Sequence, residues 1–435
     1  MGGMGEPDGR TALAAFRFRD FRRYQIARLL VILGAEAQSV AVAWQVYQLT
    51  HRPMDLGYTG LALFLPGPIF MLAAGHAADR FDRRIVILAC YGVQTLASAW
   101  LFWLGYGHTS HIFAIYSVLF LIGAARAFSG PASSALVPHL VPEKDFVNAV
   151  TWGANVFQTA NILGPALGGV LLTLPVGWGL RGPPLVYAFT LVTVAAFVAL
   201  VASLKIRIGR MEHGQFSLKL VLAGFAYVWK AKLVLGAISL DLFAVLLGGA
   251  TALMPVFAEA ILHTGARGLG ALRAAPAVGA LVVSVMLTLT PLKRRAGRTM
   301  LICVAIFGAS TIVFGLSKSL WLSVIALMVV GGSDMISVVV RSSLIQLATP
   351  DQMRGRVSAV NSVFIGASNE LGEFESGVTA QWWGAVRAVV IGGMGTLVVT
   401  GLSAWLFPTL RNADELSSKA LLAETEVEAT QGPVL

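Results

Sequence analysis

Long apolar runs recur along the chain at near-regular spacing, separated by short polar or basic connections. A membrane span needs about 20 consecutive apolar residues. The 435-residue sequence offers twelve such runs, at 26–49, 55–78, 85–106, 112–138, 149–174, 184–205, 233–261, 267–291, 298–317, 319–348, 357–382 and 386–408. The longest internal connection, 206–232, parts six runs from six. It contains "FSLKLVLAGFAYVWKAK", apolar with lysines near its ends, which predicts an amphipathic helix lying on the cytoplasmic face. The expected organisation is therefore a cytoplasmic N-terminal segment (1–25), a six-helix bundle (26–205), a linker (206–232), a second six-helix bundle (233–408) and a cytoplasmic tail (409–435). The fold class is an all-α membrane protein with two pseudo-symmetric bundles.

Composition agrees. The chain is 56% hydrophobic and 12% charged, whereas a soluble domain carries about a quarter charged residues. The first run follows "FRFRDFRRYQIAR", which is basic but lacks a small-residue cleavage site. It reads as a retained helix rather than a signal peptide.

The net charge of +10 raises the question of nucleic acid or anionic lipid as a partner. Its distribution answers it. With both termini cytoplasmic, Arg52, Arg181, Arg267, Lys318 and Arg387 fall outside, Arg126, Arg273 and Arg341 fall within runs, and the other basic residues fall inside. That is the asymmetry of a multi-pass membrane protein with cytoplasmic termini. Trp100, Trp103, Trp178, Trp321, Trp382 and Trp383 all lie at predicted outer ends, as an aromatic belt would. No nucleic acid is expected as a partner.

Several chemistries are excluded. Cys90 and Cys303 sit inside apolar runs and offer neither a disulfide framework nor metal spacing. The seven histidines form no HxxxH or HExxH pair, and no GxxxxGK[ST] loop is present. No cofactor, metal or nucleotide drive is expected, and no enzyme. A non-transporting membrane sensor stays as the less favoured alternative, since a sensor usually carries a soluble output domain and the tail is expected to be too short for one.

The two halves repeat. "NILGPALGG" (161–169) and "NELGEFESG" (369–377) match at Asn, Leu and two Gly positions, which places run five opposite run eleven. Duplicated six-helix halves are a recurrent transporter architecture, with the binding site between them near the midplane.

The loop after run two, "GHAADRFDRR", resembles the GxxxDRxGRR signature of the major facilitator superfamily, with Gly75, Asp79, Arg80, Arg83 and Arg84 in register and Asp82 in place of the usual glycine. The resemblance implies a cytoplasmic latch in which Asp79 accepts hydrogen bonds from a helix N-terminus of the other half. The equivalent loop of the second half, "PLKRRAGR", has no aspartate. "GPALGG", with Gly164, Pro165, Gly168 and Gly169, resembles the span-five motif of superfamily antiporters. Pro165 bends the helix, and the glycines permit tight packing against the opposite half. "WQVYQLT", "LRAAPAVGA" and "PDQMRGRVSAVNSVF" resemble the branch that includes siderophore and drug exporters. Over 16–408 the resemblance implies the major facilitator fold with twelve membrane helices, a monomer, and transport.

Ionisable residues inside membrane runs are functional candidates by default. The acidic ones are Glu36, Asp241, Asp334, Glu370, Glu373 and Glu375; the basic ones are Arg126, Arg273 and Arg341. Glu36 and Arg126 are expected to face the cavity of the first half, where pairing is open to them. On a helix at 100° per residue, Glu370 and Glu373 share one side and Glu375 points nearly opposite, with Gly372. One side is expected to face the cavity. The other is expected to face helices of its own half, where Arg273 or Arg341 neutralises a carboxylate. Glu370 and Glu373 are the expected functional pair; an internal salt-bridge network is the alternative for the whole cluster. His76 is expected to be a packing residue. The expected function is proton-coupled export of an amphipathic organic molecule, with transport of a cation or lysolipid without proton antiport as the alternative.

Overall fold

A computed structural model of the protein describes residues 14–107, 111–134, 136–175, 181–204, 218–290 and 295–413. Among them there is helix and no β-strand. The main helices are α1 (Arg19–Thr50), α2 (Pro53–Phe64), α3 (Pro66–Arg80), α4 (Arg83–Tyr106), α5 (Ile112–Ser134), α6 (Phe146–Leu171) and α7 (Pro183–Ala202). After the linker come α8 (Leu218–Lys230), α9 (Lys232–Gly248), α10 (Gly265–Leu289), α11 (Ala296–Leu316), α12 (Leu320–Ala348), α13 (Asp351–Trp383) and α14 (Ala385–Leu406). Helix occupies most of each apolar run. Among the described residues, nine helices are long and apolar enough to cross a membrane.

The remaining runs depart for visible reasons. Run two is split at Leu65, because Pro66 and Pro68 cannot donate to the preceding turn. Run five (α6) is lined with Asn, Gln and Thr, and run eleven (α13) carries the three glutamates. Run seven also breaks, at Gly249, and goes on as a 3-10 turn (Ala250–Leu253), a short α turn (Met254–Val256) and a π turn (Phe257–Ile261). Pro255 accounts for the irregularity there.

The chain forms two compact units, Met1–Gln45 with Leu65–Phe216, and Val46–Phe64 with Ser217–Leu435. In the first unit, α4 packs on α5 and α7, and α3 packs on α5. Its core gathers Phe21, Tyr24, Ile87, Phe197 and Val201. In the second unit, α11 packs on α12 and α14, and α10 packs on α12. Its core gathers Leu233, Ile238, Met300, Leu344 and Val357. The two sets of pairings are the same once runs two, three, four and six are matched to runs eight, nine, ten and twelve. The duplication seen in the sequence is thus repeated in the packing of each half.

The second unit includes α2, which the bundle boundaries read from sequence assign to the first half. Small residues bring α2 onto α13. A Cβ added to Gly57 would lie 3.0 Å from the Phe374 backbone, and one added to Gly377 would lie 3.0 Å from the Gly57 Cα. Backbones approach this closely only where neither helix carries a side chain. Tyr58 and Phe374 flank the contact with ring centroids 5.7 Å apart.

The predicted linker helix is present as α8. Val228 is on its packed side, whereas Trp229 beside it is exposed. It lies against α13. Tyr227 donates a hydrogen bond to the Ala348 carbonyl (3.0 Å), and Gly224 sits under the Arg356 carbonyl. The helix therefore braces the α12–α13 connection of its own unit.

Candidate functional site

Asp241, Ser333, Asp334, Ser337 and Arg341 of the second unit converge between α9 and α12. Residues 334, 337 and 341 recur at helical spacing, so Asp334, Ser337 and Arg341 share one side of α12. Asp241 of α9 meets them and forms an ion pair with Arg341. Both partners are buried, at 7% and 2% exposure. Removing either partner of such a pair strands a charge in a medium that cannot solvate it. Beside the pair lies a small cavity, about large enough for one water molecule, lined by Asp241, Ser333, Asp334 and Ser337, with Ala244, Val245, Val304 and Phe307 as its apolar wall. The Ser337 hydroxyl and the Arg341 Nε are buried without a hydrogen-bond partner among the described residues.

This corrects one expectation. Arg341 neutralises Asp241 and not a glutamate of run eleven, because its side chain emerges on the side of α12 that faces α9. Arg273, the other predicted partner, lies on α10, and its Nε is also buried without a hydrogen-bond partner among the described residues. The surrounding segment, 272–280, serves helix packing. Gly279 backs onto the Met328 carbonyl and Gly331 onto the Pro276 carbonyl, locking α10 to α12.

The glutamates of α13 divide as the helical wheel requires. On one side, a Cβ at Gly372 would lie 3.0 Å from the Leu246 carbonyl, so this side faces α9 of its own unit. Glu375 lies toward it and is half-buried. On the other side, Glu373 lies against Gly60 of α2. Glu370 is half-buried there, its carbonyl close to the same glycine. Both Glu370 and Glu373 take part in polar interactions. Ser376 is drawn in as well, donating to the Gly249 carbonyl (2.8 Å) where run seven breaks.

In the first unit, Glu36 is half-buried on α1 and engaged in a polar interaction. Arg126 is exposed on α5. The "GPALGG" segment packs beside Glu36. A Cβ at Gly164 would lie 2.5 Å from the Glu36 Cβ, and one at Gly168 would lie 2.9 Å from the Ala37 Cα and carbonyl oxygen. Gly164 and Gly168 thus find a close neighbour in α1 of their own half. Gly169 and Pro165 are buried in α6. Pro165 leaves the helix continuous but removes one of its hydrogen bonds.

The loop motif also resolves into local roles. Asp82, the departure from the usual glycine, is the N-cap of α4 and accepts from the Arg84 amide (2.8 Å). Arg84 donates to the Ala202 carbonyl, and Arg23 donates to the Ser203 carbonyl (3.2 Å), both at the C-terminal end of α7. Cations are favoured there, where the last carbonyls lack partners. Arg83 approaches His139 Nε2 (3.2 Å). Gly75 is half-buried and Arg80 exposed. His76 is exposed, which corrects its expected packing role. The side chain of Asp79, on which the latch depends, lies outside the described residues.

Sequence reasoning passed over Ser333, Ser337, Gly57 and Gly60. A signal for the serines was available, because Ser333 and Ser337 stand four apart in an apolar helix around Asp334. The glycines of α2 offered none without knowledge of the helix they meet.

Comparison with known proteins follows the same lines. The family model described as transmembrane secretion effector matches residues 10–435. The chain is 28% identical over 389 residues to the enterobactin exporter EntS of Citrobacter koseri, covering 88% of this chain and 87% of that one. It is 27% identical over 391 residues to the same exporter of Escherichia coli O81, with the same coverage. Among solved structures, a bacterial homologue of the human lysosomal transporter Spinster aligns with a TM-score of 0.69 at 13% identity, covering 96% of this chain and 99% of that one. The xylose transporter XylE of Escherichia coli aligns at 0.67 and 12%, covering 92% and 99%. The fold is that of the major facilitator superfamily, and the chain, a multi-pass membrane transporter of small molecules, belongs to its transmembrane secretion effector family.

Proposed function

We propose that the protein exports an amphipathic organic molecule, siderophore-like or drug-like, in exchange for protons, by alternating access of two six-helix halves. The observation that carries this reading is the similarity to enterobactin exporters over nearly nine-tenths of the chain. Twelve membrane crossings, cytoplasmic termini, a bacterial inner-membrane location and a monomeric state complete the proposal. Glu36 beside the "GPALGG" segment, and Glu370 with Glu373 beside α2, are the proton-binding candidates. Each lies where one helix contacts another through glycine, so a change in charge alters a helix contact directly. A proton drives the cycle only through a difference in its affinity between inward- and outward-open states.

The test is transport in proteoliposomes under an imposed pH gradient, with a siderophore and drug panel. Glu36→Gln and Glu373→Gln are expected to abolish gradient-driven transport while leaving protein insertion intact. Gradient-driven transport that persists in both variants removes proton coupling through these residues.

A second reading, coupling to or carriage of a cation without proton antiport, is favoured by the acidic cavity between α9 and α12. Cation-dependent transport at zero pH gradient would select it.

A further inference from the structure

We infer that the cavity between α9 and α12 is a binding site for a single sodium ion, held by Asp334, Ser333 and Ser337, with Asp241 contributing its second carboxylate oxygen.

One hydrogen-bonding group in the cavity is unmet. Ser337 is 2% exposed, its hydroxyl has no partner among the described residues, and it lines the cavity together with Asp334. A buried hydroxyl without a partner costs about 1–3 kcal/mol, so the group is made whole by something that enters the cavity. Ser333, 6% exposed, stands one turn away on the same wall.

Asp241 and Asp334 bring two carboxylates to the cavity, and Arg341, paired with Asp241, brings one guanidinium. One negative charge is left over, at the middle of α12. A single monovalent cation closes that balance; a divalent ion would overshoot it.

Size and ligand type agree with a sodium ion. The cavity has room for one water-sized guest, which sodium matches and an organic cation does not. Every donor is a hard oxygen, the set suited to an alkali or alkaline-earth ion. Among the described residues, no three His, Cys, Asp or Glu side chains come together as a softer metal would need. The apolar wall excludes further water and strengthens the attraction.

This inference goes beyond the export reading and does not rest on it, because ion binding is read without cargo. The experiment uses the purified full-length protein in detergent. Its thermal unfolding is followed in sodium chloride against choline chloride, at constant ionic strength and pH. Sodium that binds the folded state raises the midpoint in a saturable way. The expected result is a rise of a few degrees with sodium, a smaller one with potassium and none with choline. Asp334→Asn and Ser337→Ala are expected to remove the sodium response, while Ser337→Thr, which keeps the hydroxyl, retains it. The Ser337 pair decides the matter if Asp334→Asn fails to fold. An equal rise in choline, or a sodium response undiminished in Ser337→Ala, overturns the site. So does stabilisation by acid alone with no sodium response, which would assign the charge to a proton.

Discussion

Gly60 of α2 stands so close to Glu373 of α13 that a methyl group on it would lie 2.9 Å from the Glu373 carboxylate oxygen and 3.2 Å from its Cβ. One turn away, Gly57 has the Phe374 backbone at 3.0 Å. The two glycines meet different obstacles. A carboxylate is the far end of a flexible side chain and can turn aside; a backbone cannot. Gly60→Ala is therefore expected to preserve stability while shifting Glu373, and Gly57→Leu is expected to prise the helices apart at about 1–3 kcal/mol. Thermal unfolding and vesicle transport separate the two effects. If Gly57→Leu retains wild-type stability and transport, the α2–α13 contact does not matter to the cycle.

The buried Asp241–Arg341 pair gives a second prediction. Arg341→Met leaves Asp241 and Asp334 together without their cation, and the loss is expected to be about 3–5 kcal/mol. Asp241→Leu with Arg341→Met removes both charges and replaces them with apolar volume, and is expected to recover most of that loss. A double-mutant cycle on unfolding midpoints measures the coupling. Additive single effects would show that the two side chains do not act as a pair.

Asp82 supports a third. As the N-cap of α4 it satisfies the Arg84 amide, so Asp82→Ala is expected to cost about 1 kcal/mol, whereas Asp82→Gly should cost only a few tenths. The departure from the family pattern is then a local helix start that leaves the rest of the motif undisturbed. Equal destabilisation by Ala and Gly would deny the capping role.

The legible part of this protein is what a single helix dictates. The position of the apolar runs, the duplication around "NILGPALGG" and "NELGEFESG", and the division of Glu370 and Glu373 from Glu375 all follow from hydropathy and the 100° step. What could not be read is which helix each face meets. Arg341 was open to partners on run eleven and is held by Asp241, because that choice depends on packing between distant segments. Gly164 and Gly168 of "GPALGG" gave their own spacing but not their neighbour on α1. The splits at Leu65 and Gly249 were hidden because both sit in unbroken apolar sequence, where only the prolines nearby gave a hint.

Gly168 joins two of these strands. A methyl group on it would lie 2.9 Å from both the Cα and the carbonyl oxygen of Ala37. These are backbone atoms, so α1 must move if α6 gains a side chain there. Ala37 follows Glu36 directly, and Gly164, one turn earlier on α6, backs onto the Glu36 side chain itself. Gly168→Ala and Gly164→Ala are thus both expected to displace Glu36 by moving α1, the first by pressing on the Ala37 backbone and the second by pressing on the Glu36 Cβ, which the backbone holds in place. If Glu36 carries the proton, both variants should reduce pH-driven transport several-fold, out of proportion to the fall in unfolding midpoint that each also shows. Transport assayed at several imposed gradients, alongside unfolding, tests the link. Variants that lose stability in proportion to transport would reduce "GPALGG" to a packing element, and variants that lose neither would separate it from Glu36 altogether.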